Sequence, residues 1–224
     1  TFNSQGYTIT VSGNWTNNGS FLQTGTVNFD GTNQTINASS FNRIFATNSG
    51  TKTLGGGVTI TDDLIIDPGV TFDVSASNHP LTIGDDFTIN GTFAARNGTI
   101  TFNGNAGVFT TGGTTFYNLN FNKNAGQRLD LVGNLIVNSD MTITTGELRT
   151  STYDLNLSGS LSILSGALLN VNNAAADINF LATSGTHQIQ TNGSVLRNVV
   201  VNAPGATYEL TDAIISKDAK EIAG

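Results

Sequence analysis

Apolar and polar residues alternate along this chain in very short bursts. Thr8-Ile-Thr-Val11 sets Ile9 and Val11 on one side of an extended segment and Thr8 and Thr10 on the other, the period-two signature of a strand with one buried face. Glycine, asparagine or serine soon ends each burst: Ser12-Gly13-Asn14 precedes Trp15, and Asn17-Asn18-Gly19 precedes Phe21. Gly and Asn tolerate the left-handed backbone that a tight corner demands. Strands this short predict the sides of a coil, because hairpins usually use longer strands.

The same pattern repeats on two scales. Val58-Thr-Ile60, Leu64-Ile-Ile66 and Val70-Thr-Phe72 are echoed by Leu81-Thr-Ile83, Phe87-Thr-Ile89 and Thr92-Phe93, the first two at an offset of 23 residues. An offset of that size is one coil of a parallel β-helix, with three short strands that pair with those above and below. The longer repeat is seen in residues 81–102, LTIGDDFTINGTFAARNGTITF, which return in reduced form at 9–29 and 155–180. Trp15, Phe87 and Leu161 share one slot of it, at spacings of 72 and 74 residues, and Gly19, Gly91 and Gly166 share another. Gly25-Thr-Val-Asn-Phe29 recurs as Gly98-Thr-Ile-Thr-Phe102 and loosely as Ala176-Asp-Ile-Asn-Phe180. Phe41-Asn-Arg-Ile44 recurs as Phe116-Tyr-Asn-Leu119 and Leu196-Arg-Asn-Val199.

The expectation is therefore an all-β chain forming a single right-handed parallel β-helix over residues 1–224, with a partial cassette at 1–24, cassettes at 25–97 and 98–175, and a partial cassette at 176–224. Each cassette of 72–78 residues should hold about three coils. Nine or ten coils spaced ~4.8 Å apart would make a rod roughly 45 Å long. The hand rests on the usual sense of parallel crossovers. The charged residues 217–224 leave the pattern and read either as a cap over the last open edge or as a cut end.

Composition narrows the function classes. The 224 residues include 26 Gly, 13 Phe and only 3 Pro, which suits short strands and frequent corners and gives little support to helices. Charged residues make up 11% and the net charge is −7, with Lys52, Lys123, Arg128, Arg149 and Arg197 scattered. A nucleic-acid partner, which needs a clustered basic patch, is not expected. Without cysteine there is no disulfide framework, thiolate metal site or thiol nucleophile. No apolar run approaches membrane-spanning length and TFNSQGY has no signal-peptide pattern, so no membrane insertion is expected. A chain that opens on Thr1 with Phe2 already inside a repeat reads as part of something longer.

In GTVNFDGTNQTI (25–36), FYNLNFNKNAG (116–126) and GNLIVNSDMTITTGEL (133–148) the chain resembles the parallel β-helix repeats of large secreted and cell-surface, adhesin-like proteins of Bacteroidota-type bacteria. The resemblance covers most of the chain but carries no catalytic residues. It implies a non-catalytic structural or adhesive stalk or display module, extracellular or on the bacterial surface. The implied partners are the rest of a larger polypeptide and an extracellular glycan or another surface protein. Residues 182–190, ATSGTHQIQ, and the tail after Ser216 depart from the motif, which leaves the last coils least specified.

Candidate chemistry is sparse. Asp62-Asp63 and Asp85-Asp86 are 23 residues apart and should stack at one corner of successive coils. Converging carboxylates there are a candidate calcium site or an acid/base pair for glycoside cleavage, and otherwise they solvate the corner. Asp140 matches Asp63 in the next cassette, but Ser139 replaces Asp62, and no basic residue lies beside either pair in sequence, as a polysaccharide-cleaving enzyme would require. Calcium is the only cofactor the sequence suggests. His79 and His187 stand outside any ligand-spaced cluster. A carbohydrate-binding module would need an exposed aromatic row; Trp15, Tyr117, Tyr153 and Tyr208 are the candidates, with Trp15 expected in the core. Thr8-x-Thr10, Thr59-x-Thr61, Thr99-x-Thr101 and Thr142-x-Thr144 are of the kind that binds ice when stacked on one flat face. They hold different positions in the cassette, so they are not expected to align.

Overall fold

The computed structural model describes the chain except Gln23, Asn172, Ala174, Asp218 and Gly224, and gives only the backbone of 219–223. Every strand pairing is parallel, and the short strands stack into a β-solenoid of about eleven turns with no helix among the described residues. At the usual strand spacing the stack is roughly 50 Å long.

Three faces run the length of the stack. The first carries Ile9–Val11, Thr26–Phe29, Arg43–Ala46, Leu64–Ile66, Phe87–Ile89, Gly107–Thr110 and Arg128–Val132. The second begins with Gln34–Ile36, Gly50–Leu54, Val70–Asp73 and Thr92–Ala94 and resumes with Thr115–Phe116, Leu135–Val137, Leu155–Leu157 and Ile178–Phe180. These two sheets meet where the Phe93 and Phe116 rings lie 5.8 Å apart. The third face carries Ser39–Phe41, Val58–Ile60, Leu81–Ile83, Thr99–Phe102, Asn118–Asn122 and Leu161–Ile163. Met141–Arg149 crosses a corner without a break: its first half pairs on the third face with Asn118–Asn122, its second on the first face with Arg128–Val132. Gly146 makes that bend at φ 76°, a left-handed conformation for which glycine is suited.

Register shows how the two sequence periods combine. Ile9, Val27, Ile44, Leu64 and Phe87 stack on the first face, so a coil takes 17 to 23 residues. Val27, however, lies on the first face, its cassette counterpart Ile100 on the third and Ile178 on the second. A cassette contains three whole coils, as expected, and two further strands. Eleven strands are not a multiple of three, so successive cassettes are turned by two faces about the axis. Residues equivalent in the repeat therefore do not stack, and residues that stack are not equivalent.

Inward positions are apolar throughout. Phe87, Phe102, Phe109 and Phe121 form a buried ladder, with Phe102 stacked 5.2 Å from Phe121 and Phe87 5.4 Å from Phe109. Trp15 packs against Phe21, Phe29 and Phe41 while its indole N–H donates to Ser39 Oγ at 2.9 Å, the core placement expected of it. Two lysines are also inside. Lys52, fully buried in register between Gln34 and Phe72, donates to the carbonyls of Gly31 and Ser49. Lys123, equally buried, donates to Gly84 O and, at 2.7 Å, Asn103 O. At the C-terminal end Ala219–Ala223 adds a further parallel strand beside Val199–Asn202.

Candidate functional site

The two aspartate pairs occupy the corner where the chain passes from the third face to the first. Leu64 and Phe87 are register partners, so Asp62-Asp63 and Asp85-Asp86, which immediately precede them, stack one coil apart as the spacing predicts. The preceding coil supplies Arg43, whose Nη2 lies 2.8 Å from Asp62 Oδ2 and whose Nε lies 2.8 Å from Asp63 Oδ2. From inside the corner comes Lys123. The basic neighbours that sequence spacing could not show are thus delivered by coils one and two turns away.

The carboxylates hold backbone as well as charge. Asp63 Oδ1 accepts from Asp86 N at 3.1 Å, Asp86 Oδ1 from Val108 N at 2.7 Å, and Asp85 Oδ1 from Asn105 N at 3.2 Å. Each closes an amide that the turn of the next coil would otherwise leave without a partner. The device recurs around the molecule with either acid or amide: Asp140 accepts from Ser160 N, Asp154 from Asp177 N, Asn118 from Asp140 N, Asn134 from Asp154 N and Asn14 from Thr35 N. An asparagine oxygen serves as well as a carboxylate, because the task asks only for an acceptor.

Electrostatics follow from packing. Burial, then the adjacent Asp63 charge, raise the Asp62 pKa, and Arg43 offsets part of the rise. Burial lowers Lys123 to about 8, against the opposing pull of Asp85 and Asp86. Lys52 is lowered for the same reason, with Asp30 opposing. The donor set does not fit calcium, which takes six to eight oxygens. Arg43 lies between Asp62 and Asp63, and no three His, Cys, Asp or Glu side chains among the described residues come together to hold a metal.

The other candidates are dispersed. His187 Nε2 lies 2.9 Å from Ser184 O with its ring 5.4 Å from Tyr208, and His79 lies in the loop before Leu81–Ile83. Tyr208 donates to Leu157 O and packs on Phe180, Tyr153 packs partly buried against the core, and Tyr117 stands at the surface. No aromatic row unites them. The threonines reverse the expectation: Thr59, Thr101 and Thr142, from different cassette positions, fall in one column of the third face together with Thr82. Thr10 stands apart on the first face.

Two ion pairs between coils had no sequence signal beyond charge. Arg96 grips Asp73 through Nε at 3.0 Å and Nη2 at 2.7 Å, which holds that carboxyl below its usual pKa. Arg149 grips Asp130 at 2.7 and 2.9 Å, with Arg128 beside it at 2.8 Å. Compared with known proteins, the chain matches no family model, no curated protein and no solved structure.

Proposed function

We propose that this β-solenoid is a non-catalytic structural and adhesive stalk or display module of a larger secreted or cell-surface protein, akin to the Bacteroidota-type repeats its motifs resemble. One observation carries the reading: the acidic corner does the same backbone capping that asparagine does elsewhere in the coils. Catalysis would need a carboxylate where an amide could not substitute. Arg43 and Lys123 do provide the basic neighbours a polysaccharide-cleaving enzyme calls for, but both are engaged, Arg43 with Asp62 and Asp63 and Lys123 with backbone carbonyls. As a stalk, the chain's own contribution is a stiff spacer whose parallel ladders are loaded along their whole length.

The test is a glycan array and a polysaccharide-cleavage screen of the folded protein, with and without calcium, beside the variant carrying Asp62→Asn, Asp63→Asn, Asp85→Asn and Asp86→Asn. The stalk reading expects no calcium-dependent binding, no cleavage, and a variant that still folds. Calcium-dependent binding or cleavage that disappears in the variant would overturn it.

A further inference from the structure

The third face carries a polar column that neither the stalk role nor the fold itself requires. Consecutive registers align Thr59, Thr82, Thr101, Asn120, Thr142 and Ser162 without an interruption. Neighbours in a parallel stack are about 4.8 Å apart, so the row is roughly 24 Å long. Thr99 and Asn118, two residues earlier in their strands, begin a second row about 7 Å to the side.

Three features separate this face from the other two. Its strands from Ser39–Phe41 to Leu161–Ile163, counting only 141–143 of the bent strand, contain no charged residue. The first face is broken by Phe45 and Ile65 and then by the Asp130 and Arg149 pair, and the second by Asp73 with Arg96 and later by Ile136. Next, no described residue hydrogen-bonds the hydroxyls of Thr59, Thr82, Thr101 or Thr142, whereas Thr47, Thr145 and Thr191 bond to neighbouring coils. Finally, β-branching restricts χ1, so each threonine offers a methyl and a hydroxyl in nearly fixed positions.

A rigid, flat, uncharged array of methyls and unengaged hydroxyls at regular spacing suits a partner that is itself a regular lattice of neutral hydrogen-bonding groups. Charged side chains would hold their own hydration shells and disturb such a match. A polysaccharide chain is the poorer fit, because the face offers no aromatic ring for sugar stacking. We propose that the third face binds ice, through water ordered along the threonine column. This inference goes beyond the stalk reading and does not rest on it.

The test uses the whole chain in an ice-recrystallisation assay and by adsorption of fluorescently labelled protein to a growing ice hemisphere. The double variant Thr82→Lys and Thr101→Lys places two charges in the middle of the row at half-exposed, outward positions. Thr71→Lys puts the same charge on the second face as a control. Circular dichroism and thermal melting confirm that all are folded. The expected result is inhibition and adsorption by the unmodified chain and by Thr71→Lys, and loss of both in the double variant. Ice growth unaffected by the folded, unmodified chain would overturn the proposal, as would activity that survives in the double variant. Binding to a neutral polysaccharide that the double variant abolishes, with no effect on ice, would likewise overturn it and assign the face to glycan.

Discussion

Replacing Lys123 by methionine isolates the energetic effect of a buried ammonium in this solenoid. The lysine is fully buried, and its pKa falls from 10.5 to about 8 because burial disfavours the charged form more than Asp85 and Asp86 favour it. Between pH 8 and 10.5 the unfolded chain holds a proton that the folded chain has released. Stability therefore rises with pH across that window, is fullest above the unfolded value, and is lost as pH falls through the folded one. A shift of this size corresponds to roughly 3 kcal/mol. Lys123→Met removes the proton uptake but leaves Gly84 O and Asn103 O without their donor, a loss of about 1–3 kcal/mol for each carbonyl. Urea midpoints measured at intervals over this range, for both proteins, should therefore diverge. The unmodified chain should gain roughly 3 kcal/mol on the variant from the bottom of the window to the top. Lys52 and Tyr208 are present in both chains and cancel in the difference. Parallel profiles would refute the assignment of a strained, buried charge at this corner.

Phe102→Ala removes a ring stacked on Phe121 and 4.6 Å from Phe109, and should destabilise by about 3–5 kcal/mol in denaturant titration. Gly50→Ala should cost about 2–4 kcal/mol, because Gly50 sits at φ 73° and an added Cβ would run into the carbonyl oxygen of Thr32 in the coil before; a melting temperature equal to the parent's would contradict this. Asp73 has its pKa lowered first by the Arg96 hydrogen bond, so its contribution is present above the ordinary value of 3.8 and lost as pH falls through the folded value. Asp73→Asn should flatten the acid limb of the melting-temperature profile.

The alternation of Ile9 and Val11 with threonine, the corners at Gly and Asn, and the offset of 23 between Leu64 and Phe87 are local facts, and they sufficed for coils, parallel pairing and a filled axis. The stacking of Asp62-Asp63 on Asp85-Asp86 was legible for the same reason, since both pairs lie within one cassette and one coil apart. Arg43 was not legible as their partner, because it lies about twenty residues earlier and only a neighbouring coil brings it close. The buried lysines were hidden too: Lys52 and Lys123 look like any scattered surface charge until the corner carbonyls that receive them are folded into place.

By itself the sequence determined which residue of each short strand faces inward, because that choice depends only on the two-residue period and the apolar pattern. It also determined the coil length, which the spacing of corners sets. Which outward residues share a column was decided only in the tertiary structure. That depends on counting strands around a three-sided axis, and eleven strands per cassette turn each repeat by two faces relative to the last. The threonines that sequence comparison separated are thereby brought into one row, while the cassette equivalents Val27, Ile100 and Ile178 end on three different faces.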